Sequence, residues 1–139
     1  MPLRLEILTP ERRVYEEIVD EVIAPGSEGY LGILPHHAPL LTGLGAGEFR
    51  VKRGGVEQVL AVFGGFMDVR GDRVTVLTDA AERAEEIDDQ QARLARDAAA
   101  KAVELAAISF NAEEEARARA ALERALVRLR VSERRKRPR

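Results

Sequence analysis

Cysteine and tryptophan are absent from this 139-residue chain, and aromatic residues make up only 4% of it. Without cysteine, the chain has neither a disulfide framework nor a thiolate metal site. The scarcity of aromatic side chains and a net charge of −2 argue against a dedicated nucleic-acid binder. We find no leader sequence and no long apolar run, so we expect a cytosolic location without export or membrane spanning.

Glycine and proline are also absent between Asp88 and Val131, where Ala, Glu and Arg dominate. This composition is typical of helices. Asp88 with Gln91, and Asn111 with Glu114, have the spacing of capping boxes and predict two helix starts. Because the connection between the two helices is short, we expect them to form an antiparallel hairpin.

The predicted packing stripes of these helices consist mostly of alanine. The stripe of the first helix is Ala95, Ala98/Ala99, Ala102 and Leu105, and that of the second is Ala118, Ala121/Leu122, Ala125/Leu126 and Leu129. A methyl group buries little area, and burial stabilises by roughly 25 cal/mol per Å². Weak docking favours a movable arm, although any alanine-rich helical segment has this composition. The basic segment from Ser132 to Arg139 is interpreted as a solvated end.

Residues 1–86 differ in character, with short apolar runs between glycine-rich turns. Residues 3–7 alternate as in a half-buried strand, residues 56–63 are mostly apolar, and Arg70-Gly71-Asp72 is typical of a hairpin turn. Many short strands indicate a β-sandwich or a barrel. We therefore divide the chain into a β domain, residues 1–86 with net charge −6, and a helical part, residues 87–139 with net charge +4.

Motifs for catalysis and for phosphate binding are missing from the sequence. It contains neither a phosphate-binding loop of the Gly-x-x-x-x-Gly-Lys type nor a Gly-x-Ser-x-Gly elbow. His36 and His37 are adjacent, no third ligand has a recognisable spacing, and neighbouring side chains of an extended segment point to opposite faces, so we expect no metal site. A hydrolase that uses these histidines has almost no support. A β-sandwich adaptor that displays a helical hairpin to another partner remains open.

Four segments carry a more specific pattern. They are Gly26–Leu41 (GSEGYLGILPHHAPLL), Gly64–Val69 (GGFMDV) with the VTVL run after it, Thr78–Asp88 (TDAAERAEEID) and Arg124–Val131 (RALVRLRV). Together and in this order they resemble the epsilon subunits of bacterial F-type ATP synthases over nearly the whole chain. The resemblance implies a ten-stranded N-terminal β-sandwich and a C-terminal two-helix hairpin. It also implies a non-catalytic rotor subunit that requires no cofactor and couples rotation to ATP synthesis.

The same resemblance implies partners and a location. The sandwich is expected at the foot of the central stalk, between the gamma subunit and the c-ring, at the cytoplasmic face of the plasma membrane. The helical arm is expected to fold against the sandwich or to extend along gamma toward the alpha and beta subunits, where it inhibits ATP hydrolysis. The c-ring-facing loop corresponds to Glu28 through His37. Tyr30 occupies a position where some members have an acidic residue, so the resemblance does not decide whether this position makes an electrostatic contact with the ring.

Some bacterial members of this family bind ATP through an Ile/Leu-Asp-x-x-Arg-Ala motif, helped by arginines of the second helix. Residues 87–92 read IDDQQA, so Gln91 replaces the motif arginine. The residues compatible with such a site are Glu82, Asp88, Ala92, Arg124 and Arg128. A neutral amide lacks the charge and the fork of donors that a guanidinium offers to phosphates, so we expect weak ATP binding or none. Alternatively, Arg124 and Arg128 contact acidic surfaces of the catalytic subunits, or lie on a solvated helix face.

Overall fold

The computed structural model describes residues 2–134, and these residues form ten β-strands followed by two α-helices. The strands are β1 (Leu3–Leu8), β2 (Arg13–Val19), β3 (Glu21–Gly26), β4 (Gly29–Ile33), β5 (Leu40–Gly43), β6 (Ala46–Arg53), β7 (Val56–Phe63), β8 (Phe66–Arg70), β9 (Arg73–Leu77) and β10 (Ala81–Arg83). A single 3₁₀ turn (Ala84–Glu86) leads to α1 (Asp89–Ser109) and α2 (Ala112–Arg134). The predicted fold class, a β-sandwich followed by a helical hairpin, is confirmed.

Two five-stranded sheets make up the sandwich. The first sheet has the order β2-β1-β9-β8-β5, and only β1 and β9 run parallel in it. The second sheet has the order β10-β7-β6-β3-β4 and is antiparallel throughout. The chain changes sheet at Asp20, between β2 and β3. Leu3, Leu5 and Ile7 are fully buried between the sheets, which confirms the predicted half-buried strand.

The predicted hairpin turn connects β8 to β9. Gly71 and Asp72 both have positive φ angles, 56° and 61°, the pattern of a two-residue turn whose twist suits antiparallel strands. The carboxylate of Asp72 also accepts a hydrogen bond from the backbone N–H of His36 at 2.6 Å. The turn therefore holds the loop that follows β4.

Both predicted helix caps are present. Asp88 Oδ1 accepts a hydrogen bond from the backbone N–H of Gln91, and Asn111 Oδ1 accepts one from that of Glu114, each at 3.1 Å. Between the helices Phe110 has a φ of 56°, and this left-handed conformation ends α1. No helix within residues 2–134 combines the length and the apolar character needed to cross a membrane.

The predicted packing stripe of α1 is wrong, apart from Ala99. The buried residues of this helix are Ala92, Ala99 and Ala106. Residues 95, 98 and 102 are exposed, and Leu105 has 59% of its surface in solvent. Alanine occurs on most sides of α1, so its composition does not determine which face packs against α2.

Helix α2 uses two faces. Ala118 and Ala125 are buried, as predicted, but Ala121 and Leu126 of the predicted stripe are exposed. Val127 and Val131 pack on the outer face of the second sheet. Ser132 is 1% exposed and α2 continues to Arg134, so the prediction that the solvated end begins at Ser132 is wrong. Residues 135–139, the remainder of that predicted basic end, lie outside the described residues.

Candidate functional site

Helix α2 lies against the outer face of the second sheet, and we call this contact the arm interface. Its apolar part consists of Val59, Ala61 and Phe63 of β7, Ala84 and Ile87 of the segment before α1, and Ala92, Val127 and Val131 of the helices. Fully burying a valine stabilises by about 1.5–3 kcal/mol. The two helices contribute two valines, one alanine and the partly buried Leu129 to this cluster, which is a modest apolar contact for 44 helical residues.

An ion pair between Arg128 of α2 and Glu82 of β10 is part of the arm interface. Arg128 donates from Nε to Glu82 Oε1 at 2.7 Å and from Nη2 to Oε2 at 3.2 Å. The two side chains are only 16% and 29% exposed. A two-point pair with this little solvent is stronger than an exposed pair, and removing one partner leaves the other charge poorly solvated.

A second ion pair, between Arg134 and Glu48, joins the C-terminal end of α2 to β6. Arg134 Nε donates to Glu48 Oε1 at 2.8 Å, and the Glu48 side chain is 12% exposed. This hydrogen bond raises the pKa of the Arg134 guanidinium above its ordinary value. Sequence reasoning missed both residues, because they are 86 positions apart and only the packing of α2 on β6 brings them together.

Arg124 also contacts the sandwich. Its guanidinium carbon lies 4.6 Å from the centroid of the Phe63 ring, within the range of a cation–π contact. The sequence is compatible with two roles for Arg124 and Arg128, namely contact with the catalytic subunits or a position on a solvated helix face. In this structure both side chains contact residues of the sandwich.

The residues of the predicted nucleotide site make separate contacts. Glu82 and Arg128 bind each other, Arg124 contacts Phe63, Asp88 caps α1, and Ala92 of α1 is fully buried in the apolar cluster of the arm interface. Gln91, at the position of the motif arginine, is exposed. Glu82 and Arg128 thus satisfy each other, and nucleotide binding at these residues stays a prediction.

The segment between β10 and α1 is held to strand β2. Arg83 donates to the carbonyl oxygen of Val14 at 2.8 Å, and its guanidinium lies 5.2 Å from the centroid of the Tyr15 ring. Glu86 accepts hydrogen bonds from the backbone N–H of Arg83 at 2.9 Å and from Arg12 at 3.2 Å. Burial alone would raise the pKa of Glu86, but these hydrogen bonds lower it below its ordinary value. A movement of the helices would therefore begin after this segment.

The predicted c-ring-facing loop, Glu28 to His37, contains a strand. β4 occupies its first half at the edge of the second sheet, so the description of the whole segment as a loop is wrong. Glu28 is exposed in the turn before β4, and Tyr30 is 54% exposed although its hydroxyl accepts a hydrogen bond from the backbone N–H of Glu48. His37 Nδ1 lies 2.6 Å from the carbonyl oxygen of Ala38.

An apolar row crosses the outer face of the first sheet. Leu8, Leu77 and Phe66 are register partners on the neighbouring strands β1, β9 and β8. Leu8 is half-buried, whereas Leu77 and Phe66 are 54% and 60% exposed. Contiguous exposed apolar side chains on a sheet are typical of a contact surface for another protein.

Comparison with known proteins identifies the family. The model of the ATP synthase delta/epsilon chain β-sandwich domain matches residues 2–84. The chain belongs to the ATP synthase delta/epsilon family. A relative from Dehalococcoides mccartyi, named ATP synthase epsilon chain, is 52% identical over 136 residues, which cover 96% of this chain and 94% of the relative. A relative of the same name from Herpetosiphon aurantiacus is 50% identical and covers 95% of each chain.

A solved structure agrees with the fold of this ATP synthase delta/epsilon family member. A chain in the cryo-EM structure of the Euglena gracilis mitochondrial ATP synthase, which contains OSCP, F1 and the c-ring, matches with a TM-score of 0.76. The match has 24% identity and covers 88% of this chain and 76% of that chain, and it concerns the fold alone. The relatives named above confirm the resemblance to epsilon subunits. Members of this family are non-catalytic subunits of the synthase.

Proposed function

We propose that this chain is a central-stalk subunit that couples rotation to ATP synthesis and inhibits ATP hydrolysis through α1 and α2. The family membership supports the first part of the proposal. The arm interface supports the second part, because a contact to which the helices bring few large apolar side chains and two ion pairs is suited to reversible release.

The proposed inhibition depends on three arginines of α2. Arg124, Arg128 and Arg134 contact Phe63, Glu82 and Glu48 in the docked arm. When the arm leaves the sandwich, these guanidinium groups become available to carboxylates of another protein. We propose that the released helices bind acidic surfaces of the alpha and beta subunits. Carboxylates on those surfaces would replace Glu82 and Glu48 as partners of the arginines, so that no guanidinium is left unpaired.

The sandwich supplies the remaining contacts of the proposal. We assign the apolar row of Leu8, Leu77 and Phe66 to the gamma subunit, because a stable contact between two stalk subunits requires apolar burial. We assign the edge formed by β4, with Glu28 and Tyr30, to the c-ring at the cytoplasmic face of the plasma membrane. ATP is at most a weak ligand in this proposal, because Gln91 supplies no charge.

ATP hydrolysis by a reconstituted assembly of alpha, beta and gamma subunits tests the proposal. The full chain and a chain ending at Asp88 are added separately, and the binding of each is measured alongside the hydrolysis rate. We expect both chains to bind and only the full chain to inhibit. If both bind and neither inhibits, the regulatory part is wrong. If neither binds gamma, an adaptor that presents its helical hairpin elsewhere replaces the central-stalk proposal.

A further inference from the structure

Tyr30 lies on β4, and its side chain contacts β6. It belongs to the sheet edge assigned above to the c-ring, and it is 54% exposed. Its hydroxyl oxygen nevertheless accepts a hydrogen bond from the backbone N–H of Glu48 on β6 at 3.1 Å. The fit is close, because a Cβ atom at Gly47 would lie 2.8 Å from this hydroxyl oxygen. Since β3 separates β4 from β6 in the sheet, the side chain of Tyr30 reaches across one strand.

This hydrogen bond stands where the backbone pairing of two strands has ended. The pairing of β3 with β6 ends at the partners Ile23 and Arg50. Pro25 follows on β3, and a proline has no N–H to donate to a continued ladder. The N–H of Glu48 lies beyond the last pair, and its hydrogen bond goes to the Tyr30 hydroxyl. Removing the hydroxyl would therefore leave this N–H without its acceptor, and the position of Glu48 would be less well defined.

Glu48 also contacts the helical arm. Its carboxylate is 12% exposed and accepts a hydrogen bond from Arg134 Nε at 2.8 Å. This bond is the main cause of the raised pKa of Arg134, and Glu57 and Tyr30 contribute to it in the same direction. Helix α2 ends at Arg134, so the contact fixes the end of that helix on β6. The backbone of Glu48 is held by Tyr30 and its carboxylate holds α2, so the two contacts depend on each other.

We propose that Tyr30 is a positioning residue for arm docking, which holds Glu48 in place for Arg134 and so links the exposed edge of β4 to the end of α2. This role goes beyond the function proposed above, in which Tyr30 only contacts the c-ring. A partner that draws the hydroxyl away from Glu48 would weaken the docking of α2. Release of α2 would in turn loosen Tyr30, because coupled sites change each other's free energy equally.

Native-state hydrogen exchange of the isolated full chain tests the proposal in a double-mutant cycle. Tyr30→Phe keeps the ring and removes the hydroxyl, whereas Arg134→Gln removes the contact through which Tyr30 acts. We expect Tyr30→Phe to raise the opening equilibrium of the last two turns of α2 about three- to tenfold, the usual effect of one hydrogen bond. In the Arg134→Gln background the same change should have an effect of less than twofold, because the contact is already lost.

Tyr15→Phe is the matched control, since Tyr15 also makes one hydroxyl hydrogen bond, to Gln58 at 2.7 Å inside the sandwich. We expect this variant to change exchange in β2 and β7 and to leave the end of α2 within twofold. Equal effects of Tyr30→Phe with and without Arg134 would show a general structural role of the hydroxyl and overturn the proposal. An unchanged end of α2 in the Tyr30→Phe chain would overturn it as well.

The reverse direction of the coupling is measured by NMR. The chain contains two tyrosines, so ring-labelled tyrosine gives two sets of signals. Arg134→Gln should shift the signals of Tyr30 and leave those of Tyr15 unchanged, because only Tyr30 contacts Glu48. Unshifted Tyr30 signals would contradict the proposal. These measurements use the isolated chain, so they decide the role of Tyr30 separately from binding to the c-ring and from inhibition of hydrolysis.

Discussion

Arg128 and Glu82 form a two-point ion pair between α2 and β10, with N–O distances of 2.7 and 3.2 Å. Strand β10 is only three residues long and lies at the edge of the second sheet, just before the segment that leads to α1. The pair therefore joins the second helix to the point where the chain leaves the sandwich. The pair must therefore break if the arm detaches.

Neutralising either partner is expected to weaken arm docking. In Arg128→Gln or Glu82→Gln the remaining charge stays partly buried without its partner, which costs about 1–3 kcal/mol. The double variant should lose less than the sum of the two single losses, because the second change removes the unpaired charge. Native-state hydrogen exchange of the α2 amides measures the opening free energy in all three variants.

An exposed ion pair of α2 serves as the matched control for this cycle. Arg119 donates to Glu115 at 3.0 Å, and the side chains are 64% and 38% exposed. We expect Arg119→Gln to change the opening free energy by less than about 0.5 kcal/mol, the usual contribution of such helix pairs. An effect as large as that of Arg128→Gln would mean that charge on α2, and not the contact with Glu82, holds the arm.

The stability of the folded chain is expected to depend on pH through Glu86, and the direction of this dependence follows from the pKa of its carboxyl group. Its pKa in the folded chain is lower than the ordinary value of 4.5. The contribution of the ionised carboxylate to stability is therefore fully present above pH 4.5 and is lost as the pH falls through the folded pKa. We expect Glu86→Gln to be less stable than the natural chain at pH 7, and the difference in thermal midpoint to shrink below pH 4.5. The neighbouring exposed residue gives the control, Glu85→Gln, and a difference that persists at low pH would contradict the assignment.

Gly65 occupies a position that no other residue fits. Its φ is 104°, and a Cβ atom there would overlap the carbonyl oxygen of Leu77. We expect Gly65→Ala to lose about 1–3 kcal/mol through backbone strain and a further 1–3 kcal/mol, roughly, through overlap with that backbone. The control is Gly45→Ala, because a Cβ at Gly45 meets no atom within 4 Å. Denaturant unfolding compares the two variants, and equal stabilities would refute the close approach.

The sequence predicted the elements of this fold well, because their signals are local. Alternation identified β1, a run of eight apolar-rich residues matched β7, and Asp88 and Asn111 marked the two helix starts. Each of these features depends on neighbours within four positions. The pairing of β1 with β9, which are more than 60 residues apart, has no such local signal.

The candidate site was predicted less completely, for two physical reasons. Alanine occurs on most sides of α1, so the pattern did not distinguish the face around Ala99 from the exposed face around Leu105. Basic residues of α2 resemble a solvated surface in sequence, and only the docked helix reveals which carboxylates they meet. Glu48 and Arg134 are an example, since neither belongs to a motif and their contact depends on tertiary packing alone.

The apolar row gives the most direct test of how the sandwich joins the stalk. Phe66 and Leu77 are exposed in this structure and would be buried against the gamma subunit in our proposal. Phe66→Ala and Leu77→Ala are each expected to reduce affinity for an assembly of alpha, beta and gamma subunits by tenfold or more, because truncating a hot-spot side chain at the centre of an interface costs about 2 kcal/mol or more and about 1.4 kcal/mol is a factor of ten. Leu105→Ala, a similarly exposed position on α1, should leave the affinity of the docked chain unchanged. Thermal unfolding should move little in any of these variants, so a loss of affinity cannot be attributed to unfolding. Unchanged affinity in both row variants would place the gamma contact elsewhere on the sandwich.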